Sequence, residues 1–306
     1  MHTIAKKHRI VLRRGTKIHG RWHNRTYRVL RELGSGTVGT VYLCQHQGNY
    51  VALKLSEQSF SMMKEVEALR TLKQGKVQDS GLGPYLIDVD DWQLAQGKTL
   101  SFYVMEYIQG VTLKQFVRRK GPQGLRLVLF QLLDQLERLH RLGYVFGDLK
   151  SENIIVMTNP SRVRLIDVGG MTKIGSSVKE YTNFYDRAYW RLGKRVAEPS
   201  YDLFALTMVM LSIFYPKKFT RVDENFTFLR RRILQVKSLH IFAPVLIQTL
   251  AGTYKNVPHM RKELHRRLAY ETQQKQSIKV SGKEIVLLMS SAGMFYCIVY
   301  LLTILF

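Results

Sequence analysis

The sequence YVFGDLKSENIIV, which runs from Tyr144 to Val156, places Asp148, Lys150 and Asn153 directly before a short apolar run. A carboxylate in this setting can accept or orient a hydroxyl proton, and a lysine two residues later can neutralise a phosphoryl group in transfer. The asparagine can help to hold a magnesium ion. The segment therefore predicts a phosphate-handling site, which needs a second metal ligand and a phosphate-binding loop elsewhere in the chain.

A second carboxylate, Asp167, lies nineteen residues after Asp148 in the sequence RLIDVGG. It follows a hydrophobic strand-like run and precedes Gly169 and Gly170, an arrangement typical of a D-x-G metal site. For Asp167 alone, a generic Asp-Gly turn is the alternative interpretation. Together with Asn153, Asp167 predicts a site for a divalent cation.

A glycine-rich segment, LGSGTVGTVYL, fits a G-x-G-x-x-G-x-V frame that ends at Val41. Strand-like sequences on both sides predict a hairpin, whose backbone amides can approach phosphates without Cβ clashes. Dinucleotide-binding folds use a similar string, but there the glycines open a helix. The strand that follows here favours a hairpin covering a nucleotide. We assign nucleotide contacts to these residues: Leu33, Gly34, Ser35, Gly36, Gly39, Val41 and Ala52.

Lys54 lies on a predicted strand in YVALKLS, where its ammonium can bridge two phosphates of a nucleotide. Its carboxylate partner is expected on the next helix, MMKEVEALRTL, which offers Glu65 and Glu67. The two side chains point about 200° apart around a helix, so only one can face inward. We favour Glu65, because the apolar residues around it mark the packed side of the helix.

The sequence SFYVMEYIQG predicts a buried strand that runs into a linker between two lobes. Met105 is expected beside the adenine ring. Glu106 and Ile108 are expected to offer backbone hydrogen bonds to the adenine edge.

These elements, in this order and spacing, resemble the Hanks-type (eukaryotic-like) Ser/Thr protein kinases over about residues 26–268. The strings FGDLKSENIIV, IDVGG, KEYTNFYDRAYW and AEPSYDLFAL resemble a tail-anchored bacterial branch of that family in particular. The resemblance implies ATP and Mg²⁺, with Mn²⁺ as an alternative ion. It also implies transfer of phosphate to Ser and Thr hydroxyls of proteins, including the chain itself.

Strand-like segments followed by a mainly helical half predict an α+β fold with the two lobes of a protein kinase. We predict a small β-rich N-lobe, a larger helical C-lobe and a C-terminal transmembrane helix. The predicted divisions are a basic N-terminal extension (1–25), the N-lobe with its hinge (26–110), the C-lobe (111–270), a polar basic linker (271–284) and the transmembrane helix (285–306).

The catalytic stretch departs from the family pattern, because Phe146 and Gly147 stand where His-Arg precedes Asp148. The missing arginine removes the usual receiver of an activation-loop phosphate, so a simple loop-phosphate switch is not expected. Val168 also replaces the usual phenylalanine after the metal-site aspartate. His140 precedes an arginine but lies too early for this motif, and we expect it to be a packed residue at a helix end.

The A-P-E motif of the family is absent, since its glutamate would fall near Trp190. The late arginine that pairs with that glutamate is also missing before Pro258, which predicts an apolar substitute for the pair. We interpret Glu198, in VAEPS, as a residue of a loop or helix start.

The activation segment carries four hydroxyl residues that we consider as autophosphorylation sites. Thr182 has an alternative role, since it could instead contact Asp148 and the substrate hydroxyl. The four residues are Thr172, Ser176, Ser177 and Thr182.

The formal net charge is +24, and it is clustered rather than spread evenly. Residues 1–31 carry ten Lys or Arg and no acid, and further basic clusters span 217–237 and 253–284. Such clusters predict a polyanionic partner, with non-specific DNA ahead of anionic lipid. A solvated basic surface is the alternative. The two cysteines give no disulfide framework or zinc spacing, which fits a reducing cytosol.

Residues 285–306 form a run of 22 residues without a charge. A helix of that length reaches about 33 Å, enough to span the hydrocarbon core of a bilayer. Because lysines precede the run, we expect a single-pass tail anchor with the kinase domain in the cytoplasm. A buried C-terminal helix is the alternative.

Two other functions compete with a protein kinase. A small-molecule kinase is suggested by Gly147-Asp148, but Lys150 and the complete glycine loop argue against it. A pseudokinase scaffold is disfavoured because Lys54, Asp148, Asn153 and Asp167 are all retained. Two copies gathered on one polyanion could form a homodimer and phosphorylate each other through raised effective concentration.

Overall fold

The N-lobe is built on a six-stranded antiparallel sheet in the order β1-β2-β3-β4-β6-β5. The computed structural model of the chain describes residues 10–36, 38–75, 81–95 and 97–271, together with 273, 293, 294 and 300. One helix, α1 (Ser59–Gln74), follows the fourth strand. The strands are β1 (Lys17–His19), β2 (Thr26–Ser35), β3 (Thr40–His46), β4 (Asn49–Ser56), β5 (Leu86–Gln93) and β6 (Thr99–Glu106).

The two faces of this sheet belong to different cores, because side chains alternate along a strand. In β4, Val51, Leu53 and Leu55 pack into a small core on the outer face. Ala52 packs into the larger core that α1 and the C-lobe share. Lys54 has the same parity as Ala52, so its side chain points towards α1 and the space between the lobes.

The N-terminal segment 10–25, predicted as an extension, supplies the edge strand β1 of this sheet and packs against its outer core. The Tyr42 hydroxyl donates to the carbonyl of Ile10 at 2.6 Å, and Ile10 and Leu12 contact the outer core. The amides of Trp22 and His23 each donate to a carboxylate oxygen of Asp90 at 2.9 Å. The described part of the extension therefore shares a core with the N-lobe.

The C-lobe is mainly helical, as the sequence predicts, and two helices dominate its core. The long helix α2 (Leu113–Arg141) begins with a capping box at Thr112 and Gln115 and is kinked at Gly121. Helix α3 (Pro199–Phe214) is buried over 14 of its 16 residues and is the central helix of the lobe. The remaining helices are α4 (Asn225–Leu234), α5 (Ala243–Leu250) and α6 (257–271).

Short strands carry the loops that line the space between the lobes. They form a three-stranded sheet in the order β10-β9-β7 and a two-stranded sheet of β11 with β8. The strands are β7 (Val111–Thr112), β8 (Tyr144–Val145), β9 (Ile154–Thr158), β10 (Ser161–Leu165) and β11 (Thr172–Lys173).

Trp190, near the expected position of the A-P-E glutamate, is fully buried in a cluster of aromatic rings. Phe184, Phe219 and Phe228 pack around it, and its indole N–H donates to the carbonyl of Phe184 at 2.9 Å. An apolar cluster therefore fills this position, in keeping with the predicted substitute.

Glu198 precedes α3, as expected of a residue at a helix start, but it also forms an ion pair that the sequence did not predict. Its carboxylate lies 2.6 Å from the guanidinium of the buried Arg187. Arg187 also donates to the hydroxyl of Ser200 at 2.8 Å. The loop before α3 is thus fastened by charge as well as by aromatic packing.

Among the described residues, no helix combines the length and apolar character needed to cross a membrane. The predicted transmembrane helix, 285–306, and most of the predicted linker, 271–284, lie outside the described residues. Both remain predictions.

Candidate active site

A cleft of about 1030 Å³ lies between the two lobes and gathers the predicted site residues from both. Every residue assigned above to catalysis, nucleotide binding or metal binding lines it. From the N-lobe and hinge these are Leu33, Gly34, Ser35, Gly36, Gly39, Val41, Ala52, Lys54, Glu65, Met105, Glu106 and Ile108. From the C-lobe they are Asp148, Lys150, Asn153 and Asp167.

Lys54 pairs with Glu65, the carboxylate favoured by the sequence, and Glu67 is exposed. The ammonium nitrogen lies 2.6 and 2.7 Å from the two carboxylate oxygens, and both side chains are buried. The Tyr103 hydroxyl donates to the same carboxylate at 2.8 Å. Burial and the charge of Glu65 raise the pKa of Tyr103 well above its ordinary value. The lysine is therefore held in a defined position by both carboxylate oxygens of Glu65.

Tyr103 was not identified from the sequence as a site residue, although a signal for it exists. It lies two residues before Met105 on β6, so the two side chains share the face that lines the cleft. A tyrosine on a buried strand beside a predicted ion pair needs a partner for its hydroxyl. That requirement could have indicated the contact with Glu65.

The hinge residues present backbone rather than charge to the cleft. The carboxylate of Glu106 is bound by the Arg164 guanidinium at 2.7 and 2.9 Å. The Glu106 amide donates to the carbonyl of Tyr85 at 2.9 Å, so this amide is not available to a ligand. The predicted backbone contacts of Glu106 and Ile108 with an adenine edge therefore cannot include the Glu106 amide.

The segment YVFGDLKSENIIV forms a tight polar cluster around Asp148. The Lys150 ammonium contacts one carboxylate oxygen of Asp148. The Thr182 hydroxyl donates to the other oxygen at 2.9 Å. The side-chain amide of Asn153 donates to the Asp148 carbonyl at 3.2 Å, which leaves its amide oxygen as the ligand atom for a cation. A hydroxyl group thus already lies on the candidate base.

Asp202 of α3 holds this loop in place from beneath, a role that the sequence did not reveal. The carboxylate is fully buried and accepts hydrogen bonds from the amides of Phe146 and Gly147 at 2.7 and 3.0 Å. The His140 ring nitrogen Nε2 lies 2.8 Å from the same carboxylate. His140 is therefore packed at a helix end, as predicted, and it also supports the loop.

Position 147 has no room for the arginine found there in the family pattern. The backbone of Gly147 has φ +78, and a Cβ atom would lie 2.3 Å from the carbonyl oxygen of Gly170. A Cβ on Gly170 would in turn lie 2.9 Å from the backbone and Cβ of Asp148. The catalytic and metal-site loops therefore meet through two glycines, a contact that side chains would prevent.

The donor atoms near Asp167 fit a hard divalent cation. The Asp167 carboxylate is oriented by the amide of Gly169, which donates to one oxygen at 3.1 Å. Together with the amide oxygen of Asn153 it offers the oxygen ligands that Mg²⁺ and Mn²⁺ prefer. Glu180 also lines the cleft, and burial and the charges of Glu65 and Asp167 raise its pKa above the ordinary value. Negative charge accumulates here, as a cation site requires.

The predicted phosphoacceptors differ in exposure and contacts. Ser176 and Ser177 are exposed, whereas Thr172 donates to the carbonyl of Gly170 at 2.9 Å. Thr182 makes the contact with Asp148 that the sequence analysis gave as its alternative role.

A glycine-rich hairpin, a paired lysine, an oriented carboxylate and an Asp-Gly turn between two lobes are the features of an ATP-dependent phosphotransferase of the protein-kinase type. A family model described as the protein kinase domain matches residues 27–280. The chain therefore belongs to the protein kinase family.

The comparisons place the chain with serine/threonine protein kinases. It is 41% identical to the serine/threonine-protein kinase YabT of Bacillus subtilis (strain 168), over 88% of this chain and 80% of that protein. It is 27% identical to the serine/threonine-protein kinase PrkC of the same organism, over 55% of this chain and 26% of that protein. Among solved structures, the chain is similar to that of vaccinia related kinase 3, with a TM-score of 0.62 and 16% identity. The match covers 86% of this chain and 93% of that kinase chain, and it supports the fold.

Proposed function

We propose that the chain is an active Ser/Thr protein kinase, which transfers the γ-phosphoryl group of ATP to hydroxyls of proteins and of its own chain. The observation that carries this proposal is the hydrogen bond from the Thr182 hydroxyl to Asp148 at 2.9 Å, with Lys150 on the other carboxylate oxygen. The base is thus oriented towards a hydroxyl of the kind that a protein substrate would supply.

Each residue has a defined task in this reaction. ATP, when bound with Mg²⁺, supplies the phosphoryl group that is transferred. Lys54, held by Glu65, binds phosphate oxygens, while Asn153 and Asp167 would hold the cation. Asp148 orients the acceptor hydroxyl and takes its proton at a carboxylate oxygen, with Lys150 balancing the charge that develops nearby. Most of the rate enhancement then comes from positioning and electrostatics.

A labelled-ATP assay separates this function from the two alternatives. The full chain in detergent micelles is incubated with a generic protein acceptor and, separately, with small hydroxyl compounds such as aminoglycosides. We expect labelling of the acceptor and of the chain, lost in Asp148→Ala and retained in Asp223→Ala, which removes an exposed carboxylate elsewhere. Labelling of small compounds alone would support a small-molecule kinase, and nucleotide binding without labelling would support a pseudokinase.

The proposed autophosphorylation sites are Ser176 and Ser177 first, because both are exposed and can reach a second copy. Thr172 and Thr182 rank lower, since each hydroxyl is already bonded within the chain. Mass spectrometry of the labelled chain tests this order. Phosphate confined to Thr172 or Thr182 would contradict it.

We further propose that the kinase is a single-pass membrane protein with its catalytic domain in the cytoplasm. The uncharged run 285–306 and the lysines before it support this proposal. Expression in a bacterium with membrane fractionation tests it. The full chain should sediment with membranes and stay accessible to protease only from the cytoplasmic side, and a chain that stops at residue 284 should not be membrane-integral.

A polyanion, with DNA ahead of anionic lipid, is the proposed regulatory partner. Arg14, Arg28 and Arg31 surround an open pocket of about 510 Å³ on the N-lobe sheet, and no acid lines it. Lys17 of β1 lies directly across from Arg28 of β2 and extends the basic surface. Duplex DNA should bind the full chain with an affinity that falls steeply between 50 and 200 mM salt. Binding that is absent, or insensitive to salt, would refute this proposal.

A further inference from the structure

Glu152 is an acidic residue beside the acceptor site whose charge is already matched within the chain. It follows Lys150 by two residues and lines the cleft with Asp148. One carboxylate oxygen accepts a hydrogen bond from the Lys218 ammonium at 2.5 Å. The other accepts from the hydroxyls of Ser151 and Tyr185 at 3.0 and 3.1 Å. An incoming substrate therefore does not meet a free carboxylate here.

Lys218 reaches this position from the loop after α3, and aromatic rings fix its ammonium there. The nitrogen lies 4.9 Å from the ring centre of Tyr185 and 5.9 Å from that of Phe184. Its side chain is 34% exposed and that of Glu152 is 52% exposed, so the pair lies at the surface that a peptide must cross. The Lys218–Glu152 pair thus lies beside the acceptor site, and Glu152 is its member that lines the cleft.

The pair is ionised on both sides. Burial acts to raise the pKa of Glu152, but the hydrogen bonds that its carboxylate accepts and the charge of Lys218 together lower the pKa below its ordinary value. Burial acts to lower the pKa of Lys218, but its hydrogen bond to Glu152 and its interactions with the charge of Glu152 and with Tyr185 together raise the pKa above its ordinary value. The contact therefore persists across the physiological pH range.

Two other acids near the activation segment are matched in the same way. The buried Asp186 carboxylate lies 2.6 Å from the guanidinium of Arg195. Glu198 is paired with Arg187, as described above. Arg195 lies 3.7 Å from the ring centre of Tyr181, the residue before Thr182. The acids around the acceptor position are thus already neutralised within the chain, while Lys179 is exposed and lines the cleft.

Glu180, in the activation segment, is not matched in this way, and it faces another part of the cleft. It interacts with Glu65 and Asp167, at the end that carries the predicted cation site. Lys179, its neighbour, also lines the cleft. The acid therefore adds to the metal end and does not alter the charge at the entrance.

We infer that this kinase selects Ser or Thr acceptors flanked by acidic residues, and that Lys218 sets this preference by occupying Glu152. The inference rests on the proposed kinase function and names its substrate class. An exposed ion pair changes binding by about two- to five-fold. With one or two such contacts, we expect kcat/KM to be about 3- to 10-fold higher for an acidic peptide than for a neutral one, and lower still for a basic one.

The test uses three peptides that share one central serine and differ only in flanking Asp/Glu, Asn/Gln or Lys/Arg residues. The full chain in detergent micelles is assayed with each peptide at low and moderate salt. Lys218→Gln leaves the Glu152 carboxylate free, so the acidic preference should shrink at least threefold and the basic peptide should gain. Lys218→Arg retains the charge and should retain the preference.

A second pair of variants separates a local effect from the overall positive charge. Lys217→Gln removes the same charge from the adjacent exposed residue and should leave the ratio of acidic to basic peptide unchanged. Glu152→Gln leaves the Lys218 cation in place and should preserve or increase the acidic preference. Thermal unfolding of each variant shows that the ratios are compared between folded proteins.

Two results would overturn the inference while leaving the kinase function intact. One is normal autophosphorylation with equal or better use of the basic peptide by the wild-type chain. The other is the same loss of acidic preference in Lys217→Gln as in Lys218→Gln. Absence of both autophosphorylation and peptide phosphorylation would instead refute the proposed function itself.

Discussion

Replacing Gly147 by alanine should disrupt the site more than the loss of one hydrogen atom suggests. The residue has φ +78, a left-handed conformation that costs a residue with a Cβ about 1–2 kcal/mol. The added Cβ would also lie 2.3 Å from the carbonyl oxygen of Gly170, well inside the closest approach of about 3.0 Å seen for real Cβ atoms. Since the obstacle is backbone, one of the two loops must move.

The chain offers a control that separates backbone strain from this clash. Gly143 has φ +83, close to that of Gly147, and a Cβ there would meet no atom within 4 Å. Gly143→Ala should therefore lower the free energy of unfolding by the cost of the backbone strain alone, about 1–2 kcal/mol. Gly147→Ala adds the cost of overpacking, about 1–3 kcal/mol more. Gly147→Arg, which restores the family's arginine, should behave no better.

Urea unfolding measures the difference in stability, and initial rates of autophosphorylation measure the effect on the site. Movement of either loop displaces Asp148 relative to Asp167, and a misplacement of about 1 Å can cost about 100-fold in rate. We expect kcat to fall about 10- to 100-fold in Gly147→Ala and to change little in Gly143→Ala. Equal unfolding free energies for the two variants, or full activity of Gly147→Arg, would refute the reasoning.

Two further predictions concern the charged groups of the cleft. Glu65→Ala should lower the free energy of unfolding by about 3–5 kcal/mol, because it leaves the buried Lys54 ammonium without a counter-charge. Glu67→Ala should change it by less than about 0.5 kcal/mol. Similar losses for the two variants in urea unfolding would contradict the assigned pair. Glu180→Gln addresses pH dependence. The pKa of Glu180 is raised in the folded protein, so ionising its carboxyl at high pH lowers the free energy of unfolding. Glu180→Gln removes this cost and should raise the free energy of unfolding at about pH 8. Because the side chain is exposed, the gain should be under about 1 kcal/mol. The gain should shrink on acidification towards the ordinary carboxyl range, and a gain that grew instead would show that Asp167 and its neighbours do not repel Glu180.

The residues that line the cleft could be predicted because they lie in short local sequence motifs. Strand alternation put Lys54 on the inner face, and helical geometry allowed Glu65 or Glu67, but not both, to face it. The apolar neighbours of Glu65 were enough to choose between them. The glycine hairpin and the two C-lobe motifs followed from residue type and spacing alone.

The supports of the cleft could not be predicted in this way, since they join residues far apart in sequence. Asp202 binds the amides of Phe146 and Gly147 across more than fifty residues. An acid inside an otherwise apolar helix was a signal that some buried donor needs it, but nothing local identifies the donor. The packing of residues 10–25 on the outer sheet likewise depends on a hydroxyl and a carboxylate from distant strands.

The reason for the unusual stretch YVFGDLKSENIIV also came from tertiary structure. The sequence indicates that the family's arginine is missing, which removes a receiver for loop phosphate. The structure shows that Gly147 lies against Gly170 and that a side chain at this position would separate the two loops.

The sequence alone thus predicted the fold class and the residues that line the cleft, because each depends on periodicity, turn chemistry or spacing within a few turns of chain. Only the tertiary structure decided what holds Asp148 in place, why position 147 is glycine, and that Lys218 neutralises Glu152 at the acceptor entrance. These contacts arise when separate elements pack around a shared core, and a pairing between two distant side chains leaves no periodic trace in the sequence of either.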